Sequence, residues 1–566
     1  MRTSCCFTVF GQLALVTVAA SLLVAPVRAA EPTVVAAMGV DSYSDLKKQL
    51  GWLGNQVGSP QLPALAESFV LMATQFKGLA GLDMNRPLGI VVTANPDNEN
   101  EPVARAYVPV KDLGKLLDVL KGVTGPVQEV GKKRLVTLPS GMRVEISEQN
   151  GWAILSQPDS AAGAAAPEEI IAQIVKDFTI GVRLFPAAMP EGMRAAVRQM
   201  AEQAADNAAN QGQQVDPAAL ALGLKSLETV ESLTFGVAID EPGDQVFLET
   251  RTVMVPGSPA AEGWTAASKS DDGLGLPAAA DGKPAAVRAH FTQDITPATR
   301  LAVEATLVQL LPAGSGDPIT DSLFGLTQDI AGAMLDAEGI DAGLIVDASK
   351  ADAASPLPAL TLSARIKDGP ALEKQVKNRL GKEGALPPQA EIAFDTGKES
   401  GANLHEIKID ISGMPQSEQL GKSLTATLAV AADRAYLMLG GDASKQVAAA
   451  AAAGKKPAAE SKPLAGIELS VASLMGYAAR MSAAFNPEDP TGEVLKQVAE
   501  AATDKPSTLV QLLVQPIERG GSLRLSVDSG ALQSLASAVT ATQTGATLPG
   551  GGIPLPGGAG VPALAP

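Results

Sequence analysis

The chain is 566 residues long, with 61 acidic and 44 basic side chains and a formal net charge of −17. This acidity excludes nucleic acid and anionic headgroups as principal partners, since both reward clustered Lys and Arg; Lys132-Lys133-Arg134 and Lys455-Lys456 are too short to form a basic patch. Aromatics make up only 3% of the chain, which leaves no stacking platform for carbohydrate or single-stranded nucleic acid and demands a core of Ala, Val, Leu and Ile.

In chain order, Arg2 precedes an apolar run, Leu13–Val24, closed by Pro26. A dozen apolar residues are too few to span a bilayer, for which roughly twenty are needed. Val27-Arg28-Ala29 offers the small residues that a signal peptidase reads. The expectation is a signal peptide over 1–29, cleavage before Ala30, and export to the periplasm or medium. Cys5 and Cys6 lie upstream of the apolar run, so the exported chain of 537 residues (566 less 29) has no thiol, disulfide or thiolate metal site. Its charge becomes −19 with the loss of Arg2 and Arg28. No later run reaches the roughly eighteen apolar residues of a spanning helix, so no transmembrane segment is expected in it.

Thr33–Gly39 reads as a strand, and Ser42-Tyr43-Ser44-Asp45 as the cap of a following helix. Ser44 and Lys47 have the Ser-x-x-Lys spacing that lets a lysine activate a serine. No Lys-Thr-Gly follows and Ser270-Asp271-Asp272 only imitates the second companion motif, so capping is preferred. Gly81–Val92, Glu101–Asp112 and Leu113–Gly122 then read as strand, strand and helix, the alternation along Val103–Val110 having the period of a half-buried strand. Asn95–Glu101 spaces its oxygens as a calcium loop does, but lacks the central glycine and the closing glutamate; a hairpin loop is the reading. Arg143–Glu148 and Trp152–Ser156 flank Asn150-Gly151, a strong hairpin signal because both residues tolerate positive φ. Thr179–Met189 is a strand entering an Ala- and Gln-rich helical stretch over Glu191–Leu227. Ser232–Val253 is a second hairpin turning at Pro242-Gly243-Asp244.

The second half repeats this order. Gly339–Asp347, Leu357–Asp368 and Pro370–Gly381 follow the pattern of 81–122, with Pro358 and Lys367-Asp368 standing where Pro102 and Lys111-Asp112 stand. Leu424–Val430 with Arg434–Leu439 matches the Asn-Gly hairpin, and Ala465–Met475 matches Thr179–Met189. Ala479–Ala502 matches the long helix and Ser507–Asp528 the second hairpin, with Gly520-Gly521 as its turn. Ala285–Thr292 answers more loosely to Thr33–Gly39. Five blocks in one order predict a duplication. The expected fold is α+β: two duplicated units, 30–262 and 284–540, each a mainly antiparallel sheet with helices packed on one face. A linker over 263–283 joins them, and a Gly/Pro-rich disordered tail covers 541–566. Ala161–Ala166 and Val447–Ala459 read as exposed helix ends or loops.

Reactive constellations are scarce. His290 and His405 are the only histidines, with no His-x-x-His or His-Glu-x-x-His spacing; both fall on expected strands and read as partly buried surface residues. There is no Gly-x-Ser-x-Gly elbow and no phosphate-cradling loop. No catalytic, cofactor-binding or metal-binding residue is assigned, and no cofactor. The three tryptophans, Trp52, Trp152 and Trp264, read as packing. The expected function is an exported, non-catalytic binding or structural module with a protein partner. The alternative is a periplasmic carrier of a lipid or other apolar ligand, with a hydrolase third.

Overall fold

The computed structural model describes residues 33–543 except 96–97, 125, 131–132, 139–140, 159–166, 211–226, 270–284, 295–299, 301–317, 338, 350, 352–356, 387, 414–416, 418–421, 454–462, 486–489 and 504–506. The signal-peptide, Ala161–Ala166 and Gly/Pro-tail expectations lie outside the described residues, as does most of the linker. The chain is mixed α+β, and every strand pairing of defined register is antiparallel.

Two compact units divide it, the first drawn from Met1–Gly273, Pro457–Gly466 and Gln511–Val527, the second from the remainder. The first half contains β1 (Thr33–Val40), α1 (Tyr43–Gln56), α2 (Leu62–Ala73), β2 (Leu88–Asn95), β3 (Asn98–Pro109), α3 (Leu113–Thr124), β4 (Gln128–Val130), β5 (Lys133–Thr137), β6 (Arg143–Gln149) and β7 (Trp152–Ser156). It continues with α4 (Pro167–Val175), β8 (Ile180–Leu184), α5 (Glu191–Asn210), β9 (Val230–Asp240), β10 (Gln245–Met254) and α6 (Pro259–Lys269). The second half contains β11 (Val287–Asp294), α7 (Pro318–Leu335), β12 (Gly339–Asp347), β13 (Ala359–Arg365), α8 (Gly369–Leu380), β14 (Ala390–Glu399), β15 (Ala402–Asp410), β16 (Ser423–Val430) and β17 (Arg434–Leu439). After these come α9 (Ala443–Ala453), β18 (Ala465–Ser470), α10 (Val471–Phe485), α11 (Pro490–Thr503), β19 (Leu509–Ile517), β20 (Gly520–Asp528) and α12 (Ser529–Gln543).

The first unit's ladder runs β4-β5-β6-β7-β3-β2-β1-β8-β9-β10, with β20 paired to β10. One row across it explains the packing. Gly89 pairs with Gly39, Gly39 with Gly181 and Gly181 with Gly236, so four adjacent strands present a trough without side chains. Into it settle Ile171, Ile174 and Val175 of α4, and Phe178 just beyond. A Cβ on Gly181 would lie 2.7 Å from Ile174 Cγ2, and one on Gly236 2.2 Å from the Phe178 ring. Glycine in strand interiors marks such close approach. The core over this trough joins Ala37, Val91, Tyr107, Trp152, Ile154, Ile171 and Ile174. Trp152 is therefore packing, edge-on to Tyr107 at 6.2 Å with its Nε1 donating to Glu168.

The second unit's ladder runs β14-β15-β16-β17-β13-β12-β11-β18. Helix α8 lays Leu372, Val376 and Leu380 on Ile407, Leu428 and Val430, as α3 lays Leu113, Leu116 and Leu117 on Val136, Val144 and Ile146 in the first unit. The Lys-Asp pairs seen in sequence end in the N-caps of these two helices. Asp112 Oδ1 accepts from Lys115 N and Asp368 Oδ1 from Ala371 N, each at 3.0 Å.

Several details differ from the sequence reading. Helix α6 runs into the stretch read as a linker because Trp264 packs on the backbone at Gly521, where a Cβ would meet its ring at 2.5 Å. The Val447–Ala459 stretch begins inside α9, whose Val447 and Ala450 are buried with Tyr436 and Met438. The last hairpin turns at Glu518-Arg519, with Arg519 at φ 60, and Gly520-Gly521 already belongs to β20. The long helix of the second half is two, α10 and α11. The Asn150-Gly151 turn has φ 52 and 74, as expected of it.

Candidate functional site

Ser42 Oγ caps α1, accepting from Asp45 N at 3.1 Å. The two residues of the Ser-x-x-Lys spacing are engaged elsewhere: Ser44 Oγ donates to Asn85 Oδ1 at 2.9 Å, and Lys47 Nζ binds Glu67 at 2.9 Å. Asn95 pairs with Asn98 at the end of the β2–β3 hairpin. His290 and His405 are both buried, not partly exposed, because each lies on a strand covered on that face.

His405 nevertheless belongs to a close group of ionisable side chains, which sequence reasoning missed. Glu373 and Lys377 stand one turn apart on α8, Asp395 lies in a bulge of β14 at φ 56, and Asn403 and His405 come from β15. Lys377 Nζ lies 2.7 Å from Glu373 Oε1 and 2.8 Å from both Asp395 oxygens. Asn403 Nδ2 donates to Glu373 Oε2 at 3.0 Å. Asp395 N donates to His405 Nδ1 at 3.1 Å, while His405 Nε2 has no hydrogen-bond partner and points toward Glu373 Oε1 at 3.6 Å.

The electrostatics follow from these contacts. Burial pushes the His405 imidazole below its ordinary value, outweighing the nearby carboxylates. Burial raises the Glu373 carboxyl, but hydrogen bonds from Lys377 and Asn403 prevail and hold it below the usual range. Lys377 is raised, first by Asp395 and then by Glu373. The three potential ligand groups lie within 4.8 Å of one another, yet the donor set fits a metal poorly. With Nδ1 committed as an acceptor, a neutral imidazole carries its proton on Nε2, so neither nitrogen offers a free lone pair. The ammonium of Lys377 already stands between the two carboxylates. Chemically the group is an internal clamp, pinning α8 to the β14–β15 hairpin.

A second buried group lies in the first unit. Glu249 on β10, 2% exposed, accepts from Arg251 Nε at 2.8 Å and from Arg524 Nε and Nη2 at 3.0 and 2.7 Å. Arg251 also binds Asp177 and covers the Phe178 ring, and Arg524 covers Phe247 at 4.3 Å. Burial raises the Glu249 carboxyl, but the two guanidinium groups outweigh it and hold the value low.

The face opposite the glycine trough is partly exposed among the described residues. Ile90, Ile180 and Val237 are exposed there, in register with Met38 and Val40 of β1. In the second unit Phe291, Leu362 and Ile467 are likewise exposed on strands. No helix among the described residues is long and apolar enough to cross a membrane. No protein-family model, curated protein or solved structure matches the chain.

Proposed function

We propose that this protein is an exported, non-catalytic binding or structural module made of two copies of one α+β unit. The observation that carries the binding reading is the contrast between charged groups bonded to one another and apolar side chains exposed on strands. The ionisable groups gathered around Lys377 and Glu249 are bonded to each other, whereas aliphatic side chains stand exposed on the strand faces. A surface of that kind rewards contact with another apolar surface. The leading reading is a protein partner laid on it. The aliphatic character of Ile90, Ile180 and Val237 also favours a second reading, a carrier of a lipid or other apolar ligand.

What supports the duplication is the register. Ala106 faces Leu155 between β3 and β7. The sequence match that sets Pro358 on Pro102 and Arg434 on Trp152 carries these two residues to Leu362 and Leu437, which face each other between β13 and β17. The same match sets Ser363 on Tyr107, and a glycine faces each of them: Gly89 faces Tyr107 between β2 and β3, and Gly343 faces Ser363 between β12 and β13.

The deciding measurement is mass spectrometry of a solvent extract of the purified protein. Stoichiometric lipid establishes the carrier; a lipid-free protein that retains a specific envelope protein through washing, and loses it on Ile180→Asp, establishes the partner reading. Turnover of an ester, phosphoester or glycoside that vanishes on mutating an acidic residue overturns both.

A further inference from the structure

Two points of contact fix how β20 runs along β10. Met254 N donates to Arg519 O at 2.8 Å, and Arg519 Nη1 donates back to Met254 O at 3.3 Å. Five residues before Met254 comes Glu249, and five after Arg519 comes Arg524; these are the two that form the buried pair. The strands therefore run in opposite directions past a centre at Glu249 and Arg524. In the match of Ser232–Val253 with Ser507–Asp528, Glu249 and Arg524 hold the same place, each seventeen residues after the opening serine. Equivalent positions of the two hairpins thus meet each other across a local two-fold.

A strand that pairs with its own equivalent about a two-fold has a structural hazard. Its edge is as well shaped for the same strand of a second molecule as for its partner within the chain. At such an axis identical residues face each other. Two copies of β10 paired in this register would bring two Glu249 carboxylates together in a desolvated contact, and two copies of β20 would bring two Arg524 guanidiniums together. Only the β10–β20 combination sets unlike charges directly opposite each other; in a β10–β10 pairing each carboxylate would keep its own Arg251 alone.

We propose that the Glu249–Arg524 pair selects β20 as the partner of β10 and excludes a second copy of this chain from that edge. The selection rests on the duplication reading above, since without equivalence of the two hairpins the axis has no meaning. Like charges at a buried contact repel strongly, and unlike ones set partner choice more than affinity.

The test is the oligomeric state of the full chain after refolding from urea at rising protein concentration, read by light scattering on a sizing column. The neutral double variant Glu249→Gln, Arg524→Gln keeps hydrogen-bonding groups and removes the discrimination. It is expected to dimerise about tenfold or more tightly than the wild type. The charge-exchanged variant Glu249→Arg, Arg524→Glu is expected to remain as monomeric as the wild type. A neutral variant with unchanged dimerisation overturns the selection. If it does not refold, a mixture of the single variants Glu249→Arg and Arg524→Glu gives the same answer. Their β10 strands carry opposite charges, as do their β20 strands, so a mixed dimer absent from either alone is expected, and a profile equal to the sum of its components overturns the proposal. Superposing the two halves of an experimental structure judges the duplication separately: halves that superpose without dimerisation refute the selection alone.

Discussion

Replacing Gly181 by Ala tests whether the glycine trough seats α4. The new methyl carbon would lie 2.7 Å from Ile174 Cγ2 and 3.2 Å from Phe178 Cδ2, against an ordinary contact of about 3.5–4.0 Å. Ile174 is 2% exposed and cannot swing into solvent, so relief requires α4 to lift from the sheet. Overpacking of this kind costs typically 1–3 kcal/mol, while exchanging glycine for alanine in a strand returns roughly 0.5–1 kcal/mol of backbone entropy. The expected net loss is about 1–2 kcal/mol. Ile174→Ala alone should cost about 2–5 kcal/mol by opening a cavity. In the double variant the new methyl enters that cavity, so the combined loss should fall short of the sum by about 1 kcal/mol or more. Urea unfolding followed by far-ultraviolet circular dichroism and by the fluorescence of Trp152, which shares the Ile174 cluster, gives the four stabilities. Additive losses within about 0.3–0.5 kcal/mol would refute direct contact between the row and the helix.

Three further outcomes follow from the buried groups. Burial holds His405 below the ordinary histidine value of 6.5, so it contributes stability that is full above that pH and is lost as pH falls through the lowered value; His405→Asn keeps an acceptor for Asp395 N and should flatten the acid limb of a pH series of urea midpoints. Glu249 behaves likewise about the ordinary glutamate value of 4.5: its stabilisation is present above that pH and disappears as pH falls through the lowered value, and Glu249→Ala should cost about 3–5 kcal/mol near neutrality by leaving two guanidiniums without their carboxylate, checked by chemical unfolding. Ser42→Ala should cost about 1 kcal/mol, the usual effect of removing an N-cap, and Ser42→Asp should recover most of it in the same assay.

The sequence by itself determined the elements whose signal is local. Alternation marked β3 and β13, Asn150-Gly151 marked its turn, and Ser42-Tyr43-Ser44-Asp45 marked the start of α1, because strand period, positive φ and capping act over a few residues. The parallel order of sequence blocks in the two halves, on which the proposed duplication rests, was likewise read before any folding. The β14–β15 hairpin was not assigned from the sequence, for β14 alternates only as far as Phe394 and is polar and largely exposed beyond it. That omission concealed the Lys377 clamp: Glu373 and Lys377 were readable as neighbours on a helix, but Asp395 and His405 reach them only when the hairpin folds beneath α8. Only the tertiary structure aligned four glycines from strands far apart in the chain and brought Arg524 onto Glu249, 275 positions away. Side-chain period follows from the local backbone, whereas register between distant strands follows from which faces can be buried together, a property no short stretch of sequence possesses.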